Sequence, residues 1–482
     1  MHLLPILSVV GTLLLVLGGM QLIPMAASLA FGEADWPAFL ISGAGGMALG
    51  GAFLVSSRGA REITERDGFT VVTLGWISAA ISGAAPYLIS GTPGSITDAL
   101  FESLSGFTTT GASVLTEYGA LSHGFLLWRS MTQWFGGMGI IVMAVVILPA
   151  LGVGGMQIYK REVPGPYSEK LTPRLRDTAR ALWSVYALLT ILCTAAYFVA
   201  GMTPFEAVNH ALTTISTAGF STRGDSIAGF SSAAIEWTAI AFMLVSGMNF
   251  ALHFRLLARP RHRAAHLHDA EWVWFVGISA AMAVLISAYL FFTRGYALPA
   301  AATKGTFQVI SILTTTGYSS DDYMNWGAFP QLVLMLLMIV GGCAGSTSGG
   351  AKLVRIILLF KFIGLEMLRL LHPKVVVHAR LGHLRVPPEI LGKVLSFIFL
   401  YLTTVAAIAV LISLAGHPLL TSLGAAVSAV GNIGPGLGEV GPAGNYAGLS
   451  TFAKWVFMAG MLLGRLELMT VLVLFIPQAW RR

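Results

Sequence analysis

The chain has 482 residues, of which 55% are hydrophobic and only 11% are charged. Because a soluble domain carries about 25% charged residues, this composition excludes an ordinary soluble enzyme or nucleic-acid-binding module. Several apolar runs reach the ~20 residues that a helix needs to cross a bilayer, so the sequence predicts an all-α integral membrane protein. The two cysteines, Cys193 and Cys343, lie in apolar or glycine-rich surroundings and indicate no disulfide framework.

The formal net charge of +7 is interpreted as membrane topology rather than as affinity for nucleic acid. Most of the 29 Lys and Arg residues fall in the segments 58–66, 160–180, 255–263, 352–393 and Arg481-Arg482. The positive-inside rule places these segments and both termini in the cytoplasm, where basic loops also attract anionic lipid or a regulator. The opposite side has an acidic excess, which either concentrates cations or is ordinary solvated loop charge.

Residues 1–57 are predicted to form two spanning helices joined by a turn around Gly32–Asp35. Gly46 and Gly50 form a pair of small residues one helical turn apart, which permits close contact between helices.

From residue 68 onward, one pattern occurs four times. A spanning helix precedes an apolar segment too short to span, a loop and a second spanning helix. The first helices are predicted at 69–91, 180–201, 271–293 and 390–415, and the second at 122–152, 233–257, 329–363 and 451–478. The predicted units are 1–67, 68–165, 166–264, 265–385 and 386–482. Each repeat starts from a basic side, so the four repeats are expected to be parallel.

The four loops share a short motif. Its copies are Thr108-Thr109-Thr110-Gly111, Ser216-Thr217-Ala218-Gly219, Thr314-Thr315-Thr316-Gly317 and the looser Gly431-Asn432-Ile433-Gly434. Non-helical backbone at membrane depth must be buried in protein or line a wet cavity, so four such loops predict a shared pseudo-fourfold pore. Glycine lets consecutive carbonyls point the same way, and threonine adds a hydroxyl acceptor. A ring of carbonyls replaces the water around a dehydrated cation.

The predicted cation-binding residues are the last three of each copy. They are Thr109, Thr110, Gly111, Thr217, Ala218, Gly219, Thr315, Thr316, Gly317, Asn432, Ile433 and Gly434. Thirteen positions before the four glycines lie Asp98, Glu206, Lys304 and Thr421, which are expected at the starts of the short helices. After the loops, Gly137, Gly247, Gly341 and Gly460 lie at similar positions in the second helices.

The segment 341–351 interrupts the second helix of the third repeat. Glycine costs about 1 kcal/mol relative to alanine inside a helix, so this glycine-rich segment predicts a loop within the membrane. A glycine-rich packing seam and a phosphate-binding loop are the alternatives, but Ala351 separates the last glycine from Lys352 and no strand precedes the segment. Its candidate gate residues are Gly341, Gly345, Ser346, Gly349 and Gly350.

Arg465 lies deep in the otherwise apolar final helix. A charge at this depth is expensive and normally faces a cavity or a partner. The alternative is a structural ion pair with a nearby carboxylate, although Glu467 is expected on another side of the helix.

The whole chain resembles the superfamily of potassium transporters that includes the bacterial Trk and Ktr proteins. Of the channel filter TVGYG, only the first glycine is kept in every copy, and Asn432 replaces a threonine in the fourth. The chain length, the two additional N-terminal helices and the segment GRLELMT at 464–470 are similar to the TrkH branch rather than the KtrB branch.

The resemblance implies four helix–pore-loop–helix units in one chain, with a relaxed filter that discriminates weakly between potassium and sodium. It also implies that Arg465 lies in the pore beneath the filter, close to an intramembrane loop. A homodimer with a cytosolic, nucleotide-binding partner ring of the TrkA type is implied by resemblance alone.

Potassium uptake across the bacterial inner membrane is therefore the predicted function, with Arg465 and the 341–351 loop as its gate. A coupled secondary transporter, with proton or sodium symport, is the alternative. Parallel repeats disfavour alternating access at a single site, since many such folds have inverted repeats. A membrane-embedded enzyme is not expected, because no nucleophile–base pair, acid pair or metal cluster lies in the apolar segments.

Overall fold

The computed structural model describes residues 3–58, 65–142, 175–258, 269–375, 378–382 and 384–477. In these ranges the chain is helical except for loops and one antiparallel hairpin of β1 (Arg380–Leu381) and β2 (Leu384–Arg385). Six described helices are long and apolar enough to span a membrane, or up to eight if two bent pairs each count as one span. The predicted all-α integral membrane protein is thereby confirmed. Most of the predicted basic segments at 58–66, 160–180 and 255–263, and Arg481-Arg482, lie outside the described residues.

The N-terminal unit consists of α1 (Leu3–Met20), α2 (Leu22–Ala30) and α3 (Trp36–Ser56). Glycines bring α1 and α3 into backbone contact, because a Cβ on Gly50 would lie 2.6 Å from the carbonyl oxygen of Gly11. A Cβ on Gly18 would lie equally close, 2.6 Å, to the carbonyl oxygen of Gly43. A Cβ on Gly46 would have its nearest neighbour at 3.7 Å. The tight contact of α3 with α1 is therefore made by Gly43 and Gly50, and not by Gly46 and Gly50.

Each repeat begins with a long helix and continues with a short one. The long helices are α4 (Glu65–Ser90), α7 (Leu175–Val199), α11 (Ala270–Arg294) and α15 (Pro388–Leu414). The short helices are α5 (Ile96–Phe107), α8 (Pro204–Ile215), α12 (Leu298–Leu313) and α16 (Leu419–Gly431). The short helices have 12 to 16 residues and cannot span a bilayer of ~20 residues. Each therefore leads into a loop rather than across a membrane.

Local capping sets where the short helices begin. Ser95 caps α5 by accepting from the amide of Asp98, and Thr203 and Glu206 form a reciprocal capping box at α8. Asp98 and Glu206 thus lie in first turns, as predicted. The prediction for Lys304 is wrong, because α12 begins at Leu298 and Lys304 lies in its middle, where it pairs with Glu236 at 2.6 Å.

The second helices differ between repeats. They are α6 (His123–Val142), α9 (Ala233–Ser246) with α10 (Phe250–Ala258), α13 (Ala328–Val340) with α14 (Leu353–Leu371), and α17 (Thr451–Arg465) with α18 (Met469–Leu472). The predicted interruption in the third repeat is present between α13 and α14. The predicted continuous helices at 233–257 and 451–478 are wrong, since each is bent, by 94° and 104°.

Two local causes explain these unexpected bends. In the second repeat, Gly247 ends α9, and the side-chain oxygen of Asn249 accepts from the amide of Ala251, which starts a new helix. In the fourth repeat, Glu467 adopts a left-handed conformation with φ of 59°, which a helix cannot contain.

The contact between α1 and α3 yields a matched test. We expect Gly50→Val to lower the thermal midpoint of the detergent-solubilised protein, because the new side chain meets the Gly11 carbonyl and overpacking costs about 1–3 kcal/mol. Gly51→Val is the control, since a Cβ there would have no atom within 4 Å. Equal midpoints for the two variants, measured by size-exclusion chromatography after heating, would contradict the described packing.

Candidate functional site

The four predicted loops have the same backbone shape. The residue two positions before each glycine is left-handed, with φ of 52° at Thr109, 50° at Thr217, 55° at Thr315 and 51° at Asn432. The glycines themselves also have positive φ, from 77° to 103°. A β-branched residue at positive φ is a genuine outlier, and such strain of about 1–3 kcal/mol persists only where the surroundings impose it. The loops are therefore held in place by their neighbours.

The loops form a closed ring in which each glycine faces the carbonyl that precedes the next repeat's glycine. A Cβ added to Gly111 would lie 2.1 Å from the carbonyl oxygen of Ala218, and one added to Gly219 would lie 2.0 Å from that of Thr316. A Cβ on Gly317 would lie 1.8 Å from the carbonyl oxygen of Ile433, and one on Gly434 would lie 2.8 Å from that of Thr110. The fourth contact returns to the first repeat. The structure thus brings the predicted residues of all four copies together, and no side chain fits where the glycines are.

A cavity of about 250 Å³ lies on the side of the ring where the chain leaves the loops. All four ring glycines contribute to its lining, together with polar groups such as Ser113, Arg223, Asp225 and Asn445. The glycines are therefore reachable by a small hydrated species from this side.

Several acids near the ring are already paired with bases. Close pairs join Glu206 with Arg223 at 2.8 Å, Asp98 with Lys454 at 2.7 Å and Glu236 with Lys304 at 2.6 Å. These three carboxylates are structural charge, whereas Asp225 lines the cavity itself.

A fully buried ion pair joins the first two loops. Arg129 on α6 donates to Glu102 on α5 at 2.7 Å, and Glu102 also accepts from the amide of Val114 at 3.2 Å. The same guanidinium donates to the carbonyl of Ser221, beyond the second ring glycine, at 3.2 Å. Removing one partner of a buried pair costs about 3–5 kcal/mol, so this bridge fixes the seam between the repeats.

The glycine-rich segment between α13 and α14 lies directly against the other side of the ring. The amide of Gly349 donates to the hydroxyl of Thr315 at 2.6 Å, and Thr217 donates to the hydroxyl of Thr347 at 3.1 Å. The amide of Gly350 donates to the carbonyl of Gly431 at 3.0 Å. One segment thus touches three of the four loops.

The predicted gate residues have distinct places in this segment. Gly341, Gly345 and Gly350 have φ near 74°, a conformation that favours glycine. Gly349 packs on the fourth loop, where a Cβ would lie 2.1 Å from the Gly431 carbonyl. Ser346 closes a local turn by donating to the carbonyl of Cys343 at 2.6 Å.

Two further features hold the glycine-rich segment. One carboxylate oxygen of Glu271 accepts from the amide of Ala344 at 2.8 Å and from that of Val354 at 3.2 Å, so it joins the middle of the segment to the start of α14. The bend between α9 and α10 supplies the other contact, where Gly247 O accepts from the amide of Cys343 at 2.9 Å. Neither feature was predicted from the sequence. The signal for Glu271 was a carboxylate in the first turn of an apolar span.

Arg465 is 2% exposed and lies beside this segment. It donates to the carbonyl of Thr347 at 2.9 Å and to that of Gly136 at 3.0 Å. Its Nε has no partner in the described part of the chain. Glu467 pairs with Arg355 instead, which removes it as the partner for Arg465. Among the described residues, the positive charge of Arg465 therefore meets carbonyl dipoles and the ring of Trp76, at 6.0 Å from its centroid, rather than a carboxylate.

The register of the fourth repeat differs from the predicted one. A Cβ on Gly136 would lie 2.0 Å from Phe107 O, and one on Gly464 would lie 2.1 Å from Val430 O. Both carbonyls lie four residues before the ring glycine of their own repeat. Gly464, and not Gly460, is thus the counterpart of Gly136, and Arg465 occupies the position of Gly137.

Comparisons with known proteins agree with this architecture. The family model for TrkH, described as cation transport protein, matches residues 36–481. The chain is 40% identical over 485 residues to the Trk system potassium uptake protein TrkH of Salmonella typhimurium strain LT2, and equally so to that of Escherichia coli K12, with 100% of each chain covered. The solved structure of the potassium transporter TrkH from Vibrio parahaemolyticus matches with 36% identity and a TM-score of 0.92 over 100% of both chains.

The fold and its relatives define a membrane transport protein rather than an enzyme. The chain belongs to the TrkH family of cation transport proteins.

Proposed function

We propose that this protein takes up potassium across the bacterial inner membrane through the ring of loop carbonyls. The observation that carries the proposal is the closure of the ring, in which every glycine faces the carbonyl of the next loop. Backbone carbonyls in such a ring replace the hydration shell of the ion. The cation-binding residues are those predicted from the sequence, namely 109–111, 217–219, 315–317 and 432–434. Potassium is the cargo, as the names of the relatives state for those proteins.

The driving force in this proposal is the membrane potential, which supplies about 2.3 kcal/mol per elementary charge and 100 mV. No observation favours the alternative of proton or sodium symport. Each ring glycine faces the next loop in the same cyclic order, as expected of four repeats with one orientation, which supports a fixed pore rather than a site that alternates between faces.

The glycine-rich segment and Arg465 act together as the gate in this proposal. The segment covers three loops of the ring, and Arg465 donates to its Thr347 carbonyl. A cation that passes ~4 Å from an unpaired guanidinium meets a repulsion of about 4 kcal/mol at an effective dielectric constant of 20. Because ~1.4 kcal/mol is a factor of ten, this barrier is large enough to control flux until the segment moves.

The protein works, in the same proposal, as a homodimer with both termini in the cytoplasm, where a nucleotide-binding ring of the TrkA type docks. The relatives are named as components of a Trk system, which supports a partner. The basic segments would face that partner and anionic lipid. Co-purification of differently tagged copies, and of the partner ring, is expected from mild detergent. Monomers that carry no partner would contradict the assembly.

The ring glycines test the conduction path. We expect Gly111→Ser, Gly219→Ser, Gly317→Ser and Gly434→Ser each to lower potassium uptake about tenfold or more, because overpacking by ~1.4 kcal/mol already corresponds to that factor. The measurement is growth and potassium uptake of an uptake-deficient bacterium on low potassium, at matched membrane abundance. Gly277→Ser on α11 is the control, since its Cβ would have no atom within 4 Å. Normal uptake by the ring variants would exclude this pore.

The gate is tested by the charge of Arg465. We expect Arg465→Ala to raise rubidium uptake about tenfold or more, since a barrier of about 4 kcal/mol is removed. Arg465→Lys retains the charge and is expected to transport at close to the parent rate. A deletion within the segment 343–350 is expected to raise uptake as well. Unchanged flux in both the alanine variant and the deletion would remove this gating scheme.

A further inference from the structure

A single buried glutamine holds the second loop on both sides of its glycine. Gln133 on α6 donates from Nε2 to the carbonyl of Ala218 at 2.8 Å. Its Oε1 accepts from the amide of Phe220 at 3.0 Å. The side chain is 0% exposed, so no water competes for either bond. Gly219 is thus fixed between two hydrogen bonds to the neighbouring repeat.

The orientation of this amide follows from its partners. Only the oxygen of a glutamine accepts from a backbone N–H, and only its NH₂ group donates to a carbonyl. The two backbone groups therefore select one orientation, and both ends of the side chain are used. A methionine or leucine at this position would satisfy neither group.

The other three repeats have apolar residues at the corresponding position. Four residues before Gly247 and Gly341 lie Met243 and Leu337, and three residues before Gly464 lies Met461. Within the described residues, the ring carbonyls of the other repeats, those of Thr110, Thr316 and Ile433, accept no hydrogen bond from a side chain. The amide bridge is therefore particular to the seam between the first and second repeats.

Arg129 extends the same restraint by one residue. It lies one helical turn before Gln133, so the two side chains share a face of α6. Its guanidinium lies 4.1 Å from the ring centroid of Phe220 and donates to the carbonyl of Ser221 at 3.2 Å. Residues 218, 220 and 221 are thus each bound to α6, and the buried pair with Glu102 holds Arg129 in turn.

We propose that Gln133 determines ion discrimination by fixing the diameter of the ring at the second loop. The inference rests on the proposed function, in which an ion is coordinated by the ring carbonyls. A ring that cannot contract is a poor fit for a smaller cation, whereas a ring that can contract coordinates it well. With Gln133 in place, the Ala218 carbonyl keeps its distance from the axis. Without Gln133, the second loop moves toward the axis and coordinates the smaller ion, sodium.

The two variants that test the proposal act differently on the bridge. Gln133→Met removes both hydrogen bonds but has the residue type that the second and fourth repeats use at this place, so packing is retained. Gln133→Glu has the same shape and keeps an acceptor for Phe220, but loses the donor to Ala218 when ionised. Gln308→Met is the control, because Gln308 also is buried but bonds to Ser319 and Asp321 of the outer loop rather than to a ring carbonyl.

The measurement is inhibition of rubidium uptake by sodium and by potassium, expressed as the ratio of the two half-inhibitory concentrations. This ratio does not depend on the amount of folded protein. We expect Gln133→Met and Gln133→Glu to shift it toward sodium by about three- to tenfold, the effect of one or two net hydrogen bonds. Gln308→Met is expected to leave it unchanged.

A ratio that stays at the parent value in both Gln133 variants, or moves toward potassium, would overturn the role of Gln133. A shift of the same size in Gln308→Met would also overturn it, because any buried amide would then serve. Failure of the pore proposal is a separate result, since the ring glycine variants would then retain uptake. If those variants lose uptake and the Gln133 ratio is unchanged, only the present inference fails.

Discussion

The structure depends on one steric constraint: the four loops meet so closely that, at each ring glycine, a carbonyl of the next repeat's loop lies where a side chain would begin. Three of the four distances from an added Cβ to that carbonyl are between 1.8 and 2.1 Å. Glycine is therefore required at this level in every repeat. The short helices must also end at a common depth, because each delivers its loop to the same ring. The left-handed threonines before the glycines follow from this requirement, since the chain has to turn sharply toward the axis within two residues.

Irregular backbone within a membrane has to find its hydrogen-bond partners inside the protein. Here the irregular segments provide hydrogen-bond partners for one another. The amide of Cys343 donates to Gly247 in the bend of the second repeat, and Gly345 accepts in return from Phe250. The amide of Gly350 donates to Gly431 at the start of the fourth loop. The glycine-rich segment, the bend and the ring thus form one polar layer. A movement of the segment breaks bonds to the ring and to the bend together, which makes it a cooperative element rather than a loose loop.

The sequence was sufficient for the parts of this layer that local chemistry determines. Hydropathy predicted the long helices, and four Thr-Gly loops after segments too short to span predicted the ring. The bends after Ser246 and Arg465 were missed because their local signals are weak: Asn249 caps a new helix only through the amide of Ala251, and Glu467 is left-handed although it is not a glycine. Glu271 and Gln133 were missed for a different reason, since a polar residue in or beside an apolar helix does not reveal which backbone it meets. Lys304 was wrongly predicted at a helix start because α12 is longer than the other short helices. Gly46 was wrongly predicted in the tight helix contact because spacing along a helix does not distinguish it from the neighbouring Gly43.

The fourth repeat departs most from the others, and its departures lie on one side of the ring. Asn432 takes the place of a left-handed threonine, a substitution that the backbone permits because asparagine adopts this conformation more readily than a β-branched residue. Its amide donates to the hydroxyl of Thr110 and to the carbonyl of Met461, so it connects the fourth loop to the first and to α17. Arg465 replaces the small residue that Gly137 provides in the first repeat. The glycines that line the cavity are kept in all four repeats, whereas the opposite face of the ring carries an asparagine and an arginine. In the proposed function, the near-symmetric ring selects the ion, and the gate needs a direction from which one segment can approach. Under that proposal, the loss of symmetry on the Arg465 side is what would allow the glycine-rich segment of a single repeat to control the whole pore.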